Sequence, residues 1–357
     1  MLRKLYVLAI AVAGMQYTFA QEAAPVEEKK STTTISGFAD TYFRYDFDKN
    51  SSNNRTSFTN SHNSFELGMA SLKVEHSIGK VSMVADLGFG KRAQEFSYNE
   101  SGIVAAVKQL YVSYAATDYL KFTAGSWATH VGYELVDAPA NRNYSMSYMF
   151  SWGPFFHTGV KADLTFGKSG IMVGVANPTD YKTAPLDSKK YFLAQYSFAV
   201  NDNWKIYANY VGGKRPSDSA KTNQFDLVVT GKLSDKFSLG VNGTIQTQKY
   251  QVANKYEGDS KSWSGAALYL NFDPTAVFGL TLRSEYFSDK DQLVAMSLAP
   301  EGASIFANTL SANFRIGALT LIPELRLDSG SKDVFFDKEG ATKASNFSAL
   351  FAAVYKF

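Results

Sequence analysis

The last thirteen residues of the chain, 345–357, alternate two kinds of side chain with a period of two. One parity is apolar throughout, with Phe347, Ala349, Phe351, Ala353, Tyr355 and Phe357. Because successive side chains of a β-strand point to opposite faces, these side chains share one face. Such a face packs on the core of a soluble sheet or faces lipid in a transmembrane barrel, where aromatic residues gather at the membrane interface. This segment alone leaves both interpretations open.

The same alternation recurs along the chain. The connections between these segments alternate strictly between short and long. The predicted short turns are residues 79–80, 117–119, 167–169, 201–203, 234–236, 273–276 and 316–318, and the predicted long loops are residues 48–63, 91–103, 129–152, 178–189, 212–223, 249–261, 288–303 and 328–345. An outer-membrane barrel has this asymmetry, with short periplasmic turns and long extracellular loops, whereas a soluble sandwich does not require it. We therefore predict an all-β fold, a transmembrane antiparallel β-barrel of about sixteen strands, with a range of fourteen to eighteen.

The composition supports this fold class and excludes others. Tyr and Phe contribute 21 and 27 of the 357 residues, a bias toward β structure. Mean hydropathy is −0.18, and beyond the amino-terminal segment no apolar run approaches the roughly eighteen residues of a membrane-spanning helix. A helical membrane protein is thereby excluded, but a barrel is not, because alternation hides its apolar face from hydropathy averages. The chain has no cysteine, which excludes disulfides and thiolate chemistry.

The amino-terminal segment, residues 1–20, has the pattern of a secretory signal peptide. Arg3 and Lys4 precede an apolar stretch, and small residues up to Ala20 form a cleavage site. We predict cleavage after Ala20, a flexible periplasmic lead-in at residues 21–31, and an outer-membrane barrel over residues 32–357. Removing two basic residues from 36 leaves 34, against 33 acidic ones. This near-neutral balance gives no reason to expect nucleic acid as a partner.

The segment 129–152 is the longest stretch without periodicity, and loops of this length in compact folds are usually functional. It is more apolar than a fully solvated loop, with Leu135, Val136, Tyr144, Met146, Tyr148, Met149 and Phe150. We therefore predict that it folds into the barrel and narrows the pore, with Glu134, Asp137 and Arg142 at or near the constriction. A surface loop packed on its neighbours is the alternative that the sequence leaves open.

A barrel of about sixteen strands is too wide for side chains to fill, so we predict a water-filled lumen unless a loop plugs it. The inward parity of the strands carries charges of both signs. The residues predicted to line the pore are Asp40, Arg44, Lys161, Asp163, Arg283, Glu285, Glu324 and Arg326. Because both signs are present, we expect weak ion selectivity.

Several short motifs resemble those of one protein family. They are ISGFADTY at 35–42, QLYV at 109–112, VGYE at 131–134, NRNYSMS at 141–147, Pro154, HTGV at 157–160 and NP at 177–178. The pattern is similar to the OmpL-like outer-membrane β-barrel porin family of Bacteroidetes, most clearly over residues 34–180. The resemblance implies a porin-like role. It supplies no substrate and no catalytic residues.

The predicted function is passive diffusion of small hydrophilic solutes across the outer membrane of a Gram-negative bacterium, with no enzymatic activity and no cofactor. A plugged barrel that serves as an adhesin, an assembly anchor or a selective carrier is the main alternative. A hydrolase is a further alternative, because His62 and Ser64 lie close in sequence, although none of the four histidines is spaced for zinc. Expected partners are outer-membrane lipid, small hydrophilic solutes and the barrel assembly machinery, and a homotrimer is one assembly open to such a barrel.

Overall fold

A computed structural model describes residues 31–252, 255–256, 258–294 and 302–357. The signal peptide, its cleavage site and residues 21–30 of the lead-in lie outside the described residues. Sixteen antiparallel strands close into one barrel, in which each strand pairs with its neighbour in sequence and the last pairs with the first. The predicted fold class and strand number are confirmed.

The barrel strands are 8 to 16 residues long, and a tilted strand needs about 9 to 11 residues to cross a bilayer. Their bounds are β1 Ser31–Asp46, β2 Ser64–Ile78, β3 Val81–Phe89, β4 Val107–Ala115, β5 Leu120–Ala128, β6 Phe156–Phe166, β7 Ser169–Ala176, β8 Tyr191–Ala199, β9 Trp204–Lys214, β10 Lys221–Lys232, β11 Phe237–Lys249, β12 Ser260–Thr275, β13 Phe278–Asp289, β14 Ala303–Ile316, β15 Leu319–Gly330 and β18 Ser345–Lys356. The remaining described elements are a hairpin of β16 Phe335–Phe336 and β17 Thr342–Lys343, two helices, α1 Lys91–Phe96 and α2 Tyr148–Trp152, and 3-10 turns at Ser51–Asn53, Gly102–Ala106 and Ala138–Ala140. Neither helix is long or apolar enough to span a membrane, and this holds for the described part of the chain.

The two ends of the barrel differ in the length of their connections. The long-loop end carries loops 1 to 8, which are the described residues within 47–63, 90–106, 129–155, 177–190, 215–220, 250–259, 290–302 and 331–344. At the short-turn end, connections of two to four residues join the strands. The alternation predicted from sequence is therefore present, although loop 5 is shorter than predicted because β9 and β10 extend to Lys214 and Lys221.

Strands β1 and β18 close the barrel. They pair over nine positions, and Gly37 and Phe357 exchange two further backbone hydrogen bonds of 3.0 Å. The apolar parity of β18 faces outward, where Phe351 and Tyr355 are exposed, whereas Ala352 on the other parity is buried. The carboxy-terminal alternation thus belongs to the strand that completes the cylinder.

Each strand separates an apolar outer face from a polar inner face. On β10, the side chains of Phe225 and Leu227 are 58% and 49% exposed, whereas Gln224 and Asp226, which alternate with them, are buried. A soluble sheet would bury the apolar face instead. Exposed apolar residues around a closed barrel match a lipid-facing surface.

The largest buried apolar cluster lies inside the barrel around loop 3. Phe58 of loop 1 and Phe96 of α1 both pack near Phe155 of loop 3, with ring centroids 5.4 and 6.0 Å away. Phe335 of β16 belongs to a second buried cluster, which also contains Tyr148 of α2. Loops 1, 2 and 8 therefore fold over loop 3 at the long-loop end.

Candidate functional site

Loop 3 lies inside the barrel and binds its inner wall. The hydroxyl of Tyr144 donates to Asp40 of β1, and the backbone N–H of Tyr144 donates to Glu324 of β15 at 2.8 Å. On β13, Glu285 accepts a hydrogen bond of 2.8 Å from the backbone N–H of Tyr148. These three carboxylates lie on the inward parity, so the loop is attached to the lumen side of three strands.

Local interactions give loop 3 a compact shape. The side chain of Asn141 accepts from the N–H of Leu135 at 3.0 Å and donates to its carbonyl at 2.5 Å, which closes a turn. The hydroxyl of Ser147 accepts from the N–H of Phe150 at 3.1 Å and caps the amino end of α2. The loop therefore contacts the wall through two locally hydrogen-bonded pieces, a turn and a short helix.

Glu134, one of the three residues predicted at the constriction, is a buried anchor. One carboxylate oxygen accepts from Arg283 of β13 at 2.6 Å, and the other accepts from the N–H of Ser147 at 2.8 Å. Arg283 is fully buried and also donates to the carbonyls of Ser145 and Met146, at 2.6 and 3.2 Å. A buried guanidinium needs such acceptors, because each unpaired donor costs free energy.

Arg326 of β15 holds the same part of loop 3 from a second strand. It donates to the carbonyl of Met146 at 2.8 Å and to Asp328 at 2.9 Å. Its guanidinium carbon lies 5.2 Å from the centre of the Tyr148 ring. Two arginines on different strands thus fix neighbouring carbonyls of the loop.

The other two predicted constriction residues, Asp137 and Arg142, bind opposite walls. Asp137 contacts Lys108 of β4 at 2.6 Å, and Arg142 makes a bidentate pair with Asp273 of β12 at 2.7 and 2.8 Å. In a ring of sixteen strands, β4 and β12 are eight strands apart on either path. Lys108 lies near the long-loop end and Asp273 near the short-turn end. The segment 137–142, together with the long side chains at its two ends, therefore links opposite walls of the lumen along a diagonal.

The predicted pore-lining residues divide into two groups. Six are buried beneath loop 3 or among wall side chains, namely Asp40, Arg44, Arg283, Glu285, Glu324 and Arg326. Lys161 and Asp163 of β6 form a pair of 3.3 Å with side chains 20% and 27% exposed. Strand parity indicates which way a side chain points but not what covers it. A role for any of the eight along a solute path stays a prediction.

Two buried cations that hold loop 3 were missed by the sequence analysis. Arg92 of α1 is fully buried, donates to the carbonyls of Val136 and Tyr144 at 3.3 Å each, and lies 4.6 Å from the Tyr144 ring centre. Lys108 lies between Asp137 and Asp86, which is 3.2 Å away. Both cations lie in or beside a stretch without clear periodicity, so no pattern marked them as buried.

Asp180 of loop 4 fastens loops 2, 3 and 4 to each other at the long-loop end of the barrel. It accepts from the backbone N–H of Phe155 at 2.7 Å, from that of Phe156 at 3.0 Å, and from the hydroxyl of Tyr98 at 2.9 Å. Burial raises the pKa of Asp180 to about 6, against the lowering effect of these hydrogen bonds. Burial likewise lowers the pKa of the neighbouring Lys182 to about 8.

The pair considered for hydrolase chemistry is not assembled. Nδ1 of His62 accepts from the backbone N–H of Asp46 at 3.1 Å, and the hydroxyl of Ser64 donates to the carbonyl of Phe65 at 3.5 Å. Both groups are engaged with local backbone rather than with each other. Within the described residues, no group of three or more His, Cys, Asp or Glu side chains is arranged to hold a metal ion.

A closed sixteen-strand barrel with a polar inner face, an apolar outer face and a third loop folded inward defines a porin-type outer-membrane barrel. The family model described as "Putative beta-barrel porin-2, OmpL-like" matches residues 32–357, and the chain belongs to this family. The family resemblance found in the sequence is confirmed, and the Bacteroidetes origin stays a prediction. No curated protein matches the chain.

Solved porin structures share the fold. An anion-selective porin from Comamonas acidovorans superposes with a TM-score of 0.61 at 12% identity, covering 92% of this chain and 100% of that one. The trimer form of OmpT, an outer-membrane protein of Vibrio cholerae, gives 0.58 at 13% identity, with coverage of 92% and 99%. A porin refined at 1.8 Å resolution gives 0.55 at 9% identity, with coverage of 91% and 100%. At these identities the similarity is one of fold. Together with membership of the family, this fold supports a location in the outer membrane.

Proposed function

We propose that this protein allows passive diffusion of small hydrophilic solutes across the outer membrane of a Gram-negative bacterium. The observation that carries the proposal is the diagonal crossing of the lumen by loop 3, anchored at Lys108 of β4 and at Asp273 of β12. A wide barrel crossed by one tethered segment leaves a narrowed aqueous path rather than an open cylinder. Family membership and the porin neighbours support the same function.

Two cavities on the same strands support a path that loop 3 narrows. One, of about 450 Å³, lies at the long-loop end and includes Gln224 and Gln246 of β10 and β11. The other, of about 360 Å³, lies at the short-turn end and includes Thr230 of β10. Between them, the N–H of Gly132 in loop 3 donates to Asp226 of β10 at 3.0 Å. Solutes are sorted by size where loop 3 lies against this wall.

Electrostatic filtering is weak in this proposal. The buried charges of the wall are paired with loop 3 or with each other, so their fields largely cancel at a distance. Lys161 and Asp163, which keep partial exposure, carry opposite charges and lie 3.3 Å apart. We therefore expect a channel that passes small cations and anions at similar rates.

A plugged barrel is the second candidate, favoured by the layer of aromatic side chains over loop 3. Phe58, Phe96 and Phe335 are each fully buried at the long-loop end. A barrel closed in this way would act as an adhesin, an assembly anchor or a selective carrier. The hydrolase alternative has less support, since His62 and Ser64 bind other groups and the matching family is described as a porin family.

The expected partners follow from the outer face of the barrel and from the assembly of similar porins. The exposed apolar outer face fits outer-membrane lipid, and insertion of such a barrel requires the barrel assembly machinery. One structural neighbour is described as a trimer, and we propose that this chain also assembles as a homotrimer. Chemical cross-linking in native membranes tests this, because a monomeric band at all cross-linker concentrations contradicts it.

The decisive experiment is single-channel conductance of the refolded chain 21–357 in a planar lipid bilayer. Stepwise openings establish a channel, and neutral polymers of graded size then measure its width. Deleting residues 135–143 removes both Asp137 and Arg142 and should raise the conductance. Deleting the exposed residues 185–187 of loop 4 is the control and should leave it unchanged. Silent but correctly folded protein would favour the plugged barrel, and unchanged conductance in the first deletion would refute the narrowing by loop 3.

A further inference from the structure

We propose that the cavity at the long-loop end is a binding site for a short, neutral saccharide. The cavity measures about 450 Å³ and is lined by residues of β8 to β11 and of loops 2, 3, 4, 5 and 7. Small-molecule sites typically measure about 300 to 1,000 Å³. The inference rests on the proposed porin function, because a sugar bound in this cavity would lie at the entrance of the solute path.

A ladder of amides forms one side of the cavity. Gln224 and Gln246 are direct cross-strand partners on β10 and β11, and Nε2 of Gln246 donates to Oε1 of Gln224 at 3.3 Å. Nε2 of Gln248 donates to Oε1 of Gln246 at 3.2 Å, and Arg215 of loop 5 donates to Oε1 of Gln248 at 2.6 Å. The ladder fixes the direction of each amide before a ligand arrives, which lowers the cost of binding.

The ladder leaves hydrogen-bonding capacity for a ligand. Each amide nitrogen carries two N–H groups, and among the described residues the ladder uses one N–H of Gln246 and one of Gln248. Gln246 is only partly buried. The oxygens of Gln246 and Gln248 already accept two hydrogen bonds each, including one from Trp263 and one from Tyr250. The remaining capacity therefore consists of N–H donors, and the oxygen of a ligand hydroxyl group is a matching acceptor.

Aromatic side chains form another side of the cavity. Trp152 of α2 and Tyr98 of loop 2 line it and are 37% and 59% exposed. Tyr98 is held in place by its hydrogen bond of 2.9 Å to Asp180. Aromatic rings offer rigid apolar surfaces, and the C–H face of a sugar ring is the apolar surface that a hydroxyl-rich solute can place against them.

The charges at the cavity favour a neutral ligand. Asp180 and Arg215 are the charged side chains among its described lining residues. Asp180 already accepts three hydrogen bonds, and Arg215 already binds Gln248 and Asp218. An ionic solute would find no free counter-charge, whereas a saccharide can use the amides and the rings together.

The test measures current through single channels while maltotriose or cellotriose is added to the side of the long loops. Either sugar should block the current saturably in the millimolar range, and acidic trigalacturonate should block less. Trp152→Ala and Tyr98→Ala should each raise the half-blocking concentration roughly tenfold, since one lost stacking contact is of that order. Tyr119→Ala is the matched control, because Tyr119 is 58% exposed but lies at the short-turn end.

Open channels that neither sugar blocks would refute the saccharide site and leave the porin function standing. Equal block by trigalacturonate, or unchanged block in both cavity variants, would also refute it. If no channel opens, the porin proposal fails, and calorimetric titration of the wild-type protein and the Tyr98→Ala variant in detergent decides the saccharide site. Heat of binding that is lost in the variant supports the site, and absence of heat in the wild type overturns it.

Discussion

Arg283 of β13 and Glu134 of loop 3 form a buried ion pair of 2.6 Å between residues that lie 149 positions apart in the chain. The same guanidinium binds two loop carbonyls, so one wall residue holds loop 3 through both charge and backbone. Removing one partner of a buried pair is far costlier than removing a surface pair, because the other charge remains buried without compensation.

Replacing Arg283 with methionine should therefore destabilise the barrel by about 3 to 5 kcal/mol. The measurement is urea unfolding in detergent, followed by tryptophan fluorescence. Lys232→Ala is the control, because Lys232 pairs with the fully exposed Asp235 at the short-turn end and should change nothing measurable. Equal stability of Arg283→Met and wild type would show that the pair does not hold loop 3.

Because Arg142 and Asp273 form a bidentate pair, we expect that a lysine cannot replace Arg142 as an anchor of loop 3. Arg142→Lys should raise conductance nearly as much as Arg142→Ala, because a lysine cannot match both carboxylate oxygens with a planar fork. Arg315→Ala is the matched control, since Arg315 binds the same carboxylate at 2.8 Å from the wall and leaves loop 3 tethered. Wild-type conductance in Arg142→Lys would contradict the anchoring role.

Asp180 predicts a pH dependence in the packing of the outer loops. Its pKa is raised to about 6, so its contribution to stability is fully present below the unfolded pKa, near 4, and is lost as the pH rises through about 6. The difference between a pKa of about 6 in the folded protein and one near 4 in the unfolded chain corresponds to roughly 3 kcal/mol. Amide hydrogen exchange at Phe155 and Phe156, corrected for intrinsic exchange, should therefore become faster between pH 5 and pH 7.

Asp180→Asn supplies the control for this pH dependence. An asparagine keeps a carbonyl oxygen for the two backbone donors but does not ionise. Its corrected exchange rates should be independent of pH over the same range. A pH-independent wild type, or a variant that still responds to pH, would assign the effect to another group.

The partly exposed pair on β6 predicts how selectivity can be changed. The wild-type permeability ratio of cations to anions should lie near one at moderate salt. Lys161→Gln should shift the reversal potential toward cations and Asp163→Asn toward anions, because each leaves its former partner's charge near the solute path. Arg326→Gln, at a buried position, should shift it less than either. A ratio far from one in the wild type would contradict the mixed-charge interpretation.

Strand number and strand parity could be predicted because both follow from local sequence. The apolar alternation around Phe351 and the polar turn at residues 79–80 each need only neighbouring residues to be recognised. The docking of loop 3 could be predicted only in outline, from apolar residues such as Tyr144 that need cover. Its partners could not, because Glu134 and Arg283 meet only through the closed barrel. The fully buried Arg92 gave no signal, since a charge in a polar loop ordinarily faces water.

The attachment of loop 3 also fixes an order of events during folding. Loop 3 follows the fifth strand in the chain, yet several of its partners, among them Arg283, Glu324 and Arg326, belong to strands made later. A partly assembled sheet of five or six strands offers only the early partners of the loop, Asp40, Arg92 and Lys108. Contacts between distant parts of a chain form slowly because loop closure precedes their benefit. Loop 3 should therefore dock only after the cylinder is nearly complete. Its docking would indicate that the late strands that bind it have joined the barrel.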